Sequence, residues 1–172
     1  SLYSSPDGRV RKTMDIQITG DENKDRQEIH KIADSFFFSL FKEKGIATSK
    51  IVYTLRKKPP DGSNKWISEV FQSDYDGHNK KQLTNEGGYI VTPSTFPKIE
   101  GIKNEYFFYV SYQTGQPKIY ISNTYNPAFK KRLTSLRGNQ FMPVLSPKGD
   151  RVAFVSDAGG RADLFLLAFD PN

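Results

Sequence analysis

The chain has 172 residues, 36% hydrophobic and 26% charged, with a net charge of +6, the composition of a folded globular protein rather than a disordered segment. It contains no cysteine, which excludes disulfides, thiolate metal sites and cysteine nucleophiles. Its longest apolar run, residues 36–41, is far too short to span a bilayer. The excess of cations would attract anionic partners in general. The basic runs Arg56-Lys57-Lys58 and Lys130-Lys131-Arg132 are short and adjoin turn sequence, however, so they read as solvated loops or strand ends.

Residues 1–47 open with a turn signal, Ser5-Pro6-Asp7-Gly8. Met14 to Ile18 alternates apolar and polar residues, which predicts a strand with one buried face. Gly20-Asp21-Glu22-Asn23 breaks that strand and supplies helix-capping side chains. A helix is predicted from Lys24 to Lys44. Ile29, Ile32, Ala33, Phe36, Phe37, Leu40 and Phe41 recur at steps of three and four and form an apolar stripe. Lys42 and Lys44 suit the negative end of the helix dipole, and Gly45 is the expected stop. Phe38 falls off the stripe and is placed to pack on a neighbouring domain. One strand and one helix bury little surface alone. Residues 1–47 therefore read as the C-terminal part of an N-terminal α/β domain.

Residues 48–172 are repetitive. Pro93-Ser94-Thr95-Phe96-Pro97-Lys98 matches Pro143-Val144-Leu145-Ser146-Pro147-Lys148, and Gln82-Leu83-Thr84 matches Arg132-Leu133-Thr134. Tyr109-Val110-Ser111 matches Phe154-Val155-Ser156 at a slightly shorter spacing, as an insertion near Glu100 to Asn104 would produce. A weaker copy starts at Ile51 and runs through Phe71. Periods of roughly 40–50 residues mark repeat architectures. Each unit reads as four short strands, in the second copy Tyr89–Thr95, Tyr106–Tyr112, Pro117–Ser122 and Lys130–Thr134, with Gly-, Asn- and Pro-rich turns. Four antiparallel strands per repeat make the blade of a β-propeller. The expected fold is mainly β: an incomplete propeller of about 2.7 four-stranded blades, preceded by a strand and a long helix. A closed ring needs at least about four blades. The chain then reads as part of a ring, or as an open set of blades whose edges self-associate.

Catalytic chemistry finds little support. His30 lies in the predicted helix and His78 in a polar turn, in separate regions, where a catalytic or zinc pair needs them adjacent. Asp74, Asp76 and Asn79 alternate like calcium ligands, but Lys80 and Lys81 follow. A turn held by Asp side chains is the simpler reading. Neither Gly87-Gly88 nor Gly159-Gly160 precedes a helix, so neither cradles phosphate. No Gly-x-Ser-x-Gly elbow occurs. No cofactor and no metal are expected.

Three segments carry a resemblance. The first is Asp25-Arg26-Gln27-Glu28-Ile29-His30-Lys31-Ile32-Ala33-Asp34 followed by Thr48-Ser49-Lys50-Ile51-Val52-Tyr53. The second is Ser73-Asp74-Tyr75-Asp76-Gly77, and the third Leu145-Ser146-Pro147-Lys148-Gly149-Asp150-Arg151-Val152-Ala153-Phe154. Together they resemble the TolB family, the propellers of the Tol–Pal system, over Asp25 to Asn172. Lys148 replaces the usual acid of the third motif, and Phe96-Pro97-Lys98-Ile99 lacks the tight acid–Gly turn at its equivalent. The resemblance implies a six-bladed propeller in the periplasm, of which residues 48–172 are the opening blades. It implies a non-catalytic scaffold that binds the peptidoglycan-associated lipoprotein Pal, engages TolA, and supports outer-membrane integrity and cell division, with no nucleic-acid partner. In a propeller, the loops feeding the innermost strands open on the axial mouth. Those loops are Glu86 to Thr92 and Arg137 to Met142. By resemblance, Val91 and Thr92 before Pro93, and Asn139, Gln140, Phe141 and Met142 before Pro143, lie where Pal docks. Phe141 and Met142 equally suit packing between blades. The alternative reading is the gating propeller of a serine peptidase or related enzyme, whose nucleophile would lie elsewhere.

Overall fold

Tyr106 to Val110 is apolar at every position. Successive strand residues point to opposite faces, so a strand like this must lie between two packed layers. That is where it sits. The computed structural model describes residues 2–3, 10–58, 62, 64–99 and 105–170. Its elements are β1 (Leu2–Tyr3), β2 (Val10–Lys12), α1 (Glu22–Phe41), β3 (Lys50–Lys57), β4 (Ile67–Asp74), β5 (Lys81–Gln82), β6 (Ile90–Thr95), β7 (Tyr106–Ser111), β8 (Lys118–Asn123), β9 (Lys131–Arg132), β10 (Gln140–Leu145), β11 (Arg151–Ser156) and β12 (Asp163–Ala168). The strands form a β1–β2 ribbon and three antiparallel sheets, ordered β3-β4-β5, β6-β7-β8-β9 and β10-β11-β12. These sheets are the blades of a partial propeller.

Strand β7 shows how the blades stack. Phe108 and Val110 point to one side and join Ile119, Ile121, Leu145, Val152 and Phe154 in a core shared with the third sheet. Phe107 and Tyr109 point to the other side and join Ile90, Tyr120, Val70 and Leu83 in a core shared with the first. The middle blade is thus apolar on both faces and buried on both, which is the packing logic of a repeat protein. Pro93 and Pro143 are each the fourth residue of an inner strand, β6 and β10. Each strand carries a register shift around its proline, as a residue without an N–H requires.

By contact, the chain forms two compact units, residues 1–51 with 73–80, and residues 52–72 with 81–172. In the first unit the structure corrects three expectations. Met14 to Ile18 is not a strand, and its apolar side chains are exposed. Alternation makes a strand only where a partner ladder exists, and the ladder here pairs β1 with β2. Helix α1 begins at Glu22, earlier than predicted, because Asp21 caps it by accepting from Asn23 N and Lys24 N. It ends at Phe41, with Lys42 in the left-handed conformation and its N–H donating to Phe38 O. Gly45 is therefore not the stop. Its role is close approach: a Cβ there would meet the side chain of Asp34 and lie 2.8 Å from Asp34 Cα. The apolar stripe of α1 has the predicted period, but none of its residues is fully buried. The turn expected at Ser5–Gly8 and the insertion near residues 100–104 lie outside the described residues.

Candidate functional site

The loops that feed the inner strands β6 and β10 are held by buried polar side chains. Phe71 pairs with Gln82 and Tyr120 with Arg132, so Glu69 and Lys118, each two residues earlier, occupy equivalent places in successive blades. They do the same task with opposite charge. The Glu69 carboxylate, fully buried, accepts from Glu86 N at 2.7 Å, Gly87 N at 2.8 Å and Thr84 Oγ1 at 2.5 Å. The Lys118 ammonium, also buried, donates to Leu136 O at 3.2 Å and to Gly138 O. Burial, and then the charge of Arg132, lower the Lys118 pKa. One loop is gripped by its N–H groups and the other by its carbonyls. In both cases the buried charge meets partners, as it must.

The loops carry further anchors. Glu86 accepts from Tyr109 Oη at 2.7 Å and Ser111 Oγ at 2.5 Å, and pairs with Lys130 Nζ at 2.5 Å. Burial and the Glu86 hydrogen bond push the Tyr109 phenol well above its ordinary range. Asp157 accepts from Asn139 N at 2.6 Å and from Asn139 Nδ2 at 2.7 Å.

The six residues expected at the rim fall into distinct settings. Gln140 is fully buried. Its Oε1 accepts from Ile119 N at 3.3 Å and its Nε2 donates to Leu136 O at 3.0 Å, so it ties β10 to the preceding blade. Asn139 is held by Asp157. Val91 and Phe141 are half-buried against the core of the second and third blades. Only Thr92 and Met142 are exposed. They stand at equivalent positions, and both have positive φ, 49° and 52°. This left-handed conformation is rare for residues other than glycine. Sequence reasoning did not find it, because neither residue type announces a bulge.

The first unit holds a second polar cluster, which the sequence did not bring together. His30 and His78, expected in separate regions, both belong to this unit. Asp76 accepts from Arg26 and, at 3.1 Å, pairs with His30 Nε2. His30 also meets the Tyr75 ring edge-on. Asp74 is bonded by Lys50 and by Asn79 Nδ2 at 2.6 Å. A backbone hydrogen bond from His78, followed by the charges of Arg26 and His30, holds Asp76 below the ordinary carboxylate range. For Asp74, burial acts upward, but the hydrogen bonds of Lys50 and Asn79 outweigh it and the net shift is downward. The cluster borders a cavity of about 260 Å³ lined by Gln27, His30, Lys31, Thr48, Lys50 and Asp74. Its carboxylates are engaged by cations and turn N–H groups, as a turn reading of Asp74–Asn79 requires. Among the described residues, no group of three or more His, Cys, Asp or Glu side chains could hold a metal ion, and no helix is long and apolar enough to cross a membrane.

The family model described as the TolB beta propeller domain matches residues 37–172. The chain is 44% identical over 163 residues to a protein named Protein TolB homolog from Protochlamydia amoebophila, covering 95% of this chain and 34% of that one. It is 44% identical over 157 residues to the Protein TolB homolog of Chlamydia felis, covering 91% of this chain and 36% of that one. Among solved structures it is similar to TolB from Acinetobacter baumannii, with a TM-score of 0.66 and 23% identity over 84% of this chain and 34% of that one, a likeness of fold. The chain thus spans about a third of the length of the curated relatives it matches.

Proposed function

The chain belongs to the TolB β-propeller family, and on that footing we propose that it is part of a non-catalytic scaffold that binds the lipoprotein Pal at the rim of its inner strands. In this reading residues 48–172 are the opening blades, and residues 1–47 close an N-terminal α/β domain that serves the TolA side of the system. The protein works in the periplasm, supporting outer-membrane integrity and cell division.

One observation supports the rim as the place of contact. Thr92 and Met142, equivalent residues of adjacent blades, are held in a costly left-handed conformation with their side chains exposed. Strain of this kind persists where the surroundings enforce it, and it collects at functional positions. Around them, Gln140, Asn139, Glu69 and Lys118 fix the loops from behind. A rigid rim lowers the ordering cost of binding. Met142 supplies an adaptable apolar contact, and Phe141 supports it from the core.

Titrating the soluble domain of Pal into the full-length gene product tests this by calorimetry. Replacing Met142 with Ala should weaken binding by about 1 kcal/mol or more, as loss of an interface anchor does. Phe141→Ala should act in the same direction. Unchanged affinity in both variants, with both folded, removes the rim from the interface.

A further inference from the structure

One hairpin of the three blades is longer than its equivalents. The strands β7 and β8 are joined by six residues, and so are β11 and β12, but nine residues join β3 to β4. The longer hairpin also carries a distinctive composition. Arg56, Lys57, Lys58 and Lys65 stand against one carboxylate, Asp61, a net +3 out of the chain's +6. Beside them is Trp66, the only tryptophan of the chain, with 42% of its surface exposed. The Arg56 guanidinium lies 4.5 Å from the centroid of the indole ring and Lys58 Nζ 5.6 Å from it. All four cations are exposed. Among the described residues, none of the four forms an ion pair with a carboxylate. A solvated strand end needs neither the added length nor an indole held in the open.

We propose that the base of the β3–β4 hairpin, Arg56 to Lys58 with Lys65 and Trp66, is a contact site for an anionic lipid surface, with Trp66 entering the headgroup layer and the four cations holding it there. Protein interfaces favour Trp and Arg but are depleted in Lys, and three of these four cations are lysines. Lysine beside tryptophan is instead the pairing found at lipid headgroups, where the amphipathic ring sits at the boundary and long basic stems reach charge. Arg56 and Lys57, the last two residues of β3, point to opposite sides, so the charges flank both sides of the strand end. That distribution suits a plane of charge better than a single acidic pocket. One ring and a short basic cluster give weak, reversible attachment. The inference does not rest on Pal binding.

Because Trp66 is unique, its emission reports this site alone. The chain is mixed with vesicles of phosphatidylcholine alone, or with one third phosphatidylglycerol, and binding is followed by emission and by co-sedimentation. A blue shift with the anionic vesicles only, lost on raising the salt, is expected. Replacing Lys57, Lys58 and Lys65 by Gln should cut partitioning roughly tenfold or more while leaving the thermal transition in place. Trp66→Phe should weaken sedimentation with the charges intact. Equal behaviour on neutral and anionic vesicles overturns the proposal. So does an equal blue shift with poly-glutamate at matched charge, which would assign the hairpin to an acidic polypeptide.

Discussion

At Thr92 and Met142 the backbone adopts φ of 49° and 52°, where a Cβ crowds the following carbonyl. Thr92 is β-branched and bears the larger penalty. Thr92→Gly should therefore raise the stability of the chain by about 0.5 to 1 kcal/mol, visible as a higher melting temperature. A lower one would mean that the Thr side chain contributes more than its backbone costs. Asp34 makes a different kind of point. Its carboxylate accepts from Ala47 N at 2.7 Å, Thr48 N at 3.0 Å and Thr48 Oγ1 at 2.6 Å, closing the segment after α1 onto the helix. Burial acts to raise its pKa, but the Thr48 and Ala47 hydrogen bonds outweigh it and the net shift is below 3.8. Asp74 and Asp76 shift the same way. A carboxyl whose folded pKa is depressed stabilises the fold above its ordinary value, and that contribution is lost as pH falls through the lowered value. Circular dichroism on acid titration should therefore show the first unit losing helix below about pH 4, and Asp34→Asn should flatten that dependence. An identical acid profile for the variant would remove Asp34 from the account.

The elements of the blades were legible in the sequence to differing depth. Strand β7 was plain because Tyr106 to Val110 is apolar on both faces, and β6 and β10 because Pro93 and Pro143 repeat in register. The segment at Met14 to Ile18 was misread because alternation states which face a strand would bury, not whether a partner strand is there. The end of α1 was misplaced by a few residues because Gly45 serves a close approach to Asp34, while Lys42 adopts the left-handed cap. At the rim, a bulge of a single residue separates buried Gln140 from exposed Met142, and a period-two pattern carries no sign of it. The Glu69 and Lys118 exchange was equally hidden, since opposite charges at equivalent positions look like divergence rather than a shared task. It makes a sharp expectation. Lys118→Met leaves the carbonyl of Gly138 without this donor, while Leu136 O keeps Gln140 Nε2, and should cost about 1 to 3 kcal/mol. Glu69→Leu should do the same to the N–H groups of Glu86 and Gly87, and hydrogen exchange should then report faster amides at those two residues. In Lys118→Met those amides should stay protected, because that variant frees a carbonyl in the other loop.

Across the whole set of blades, burial is asymmetric. The middle sheet is covered on both faces, whereas the third is covered on one. Val152 and Phe154 lie in the core shared with the second sheet, while Met142, Val144, Leu164 and Leu166 are exposed by 59% to 76%. Three of the surrounding positions form a row: Val144 pairs with Ala153, and Ala153 with Leu166. Leu164 sits one step further along, opposite Val155. A contiguous apolar strip of this kind seeks cover. Covering each large side chain is worth roughly 1.5 to 3 kcal/mol, more in sum than the charge repulsion of two weakly basic copies at moderate salt. The 172-residue chain should therefore self-associate through this face. Sedimentation equilibrium should show mass rising with concentration, and Leu164→Lys with Leu166→Lys should return it to a monomer without lowering the melting temperature, because neither side chain packs in either core. If the doubly substituted chain associates as strongly as the original, the contact lies elsewhere, and the exposed leucines are no more than solvent-facing strand residues.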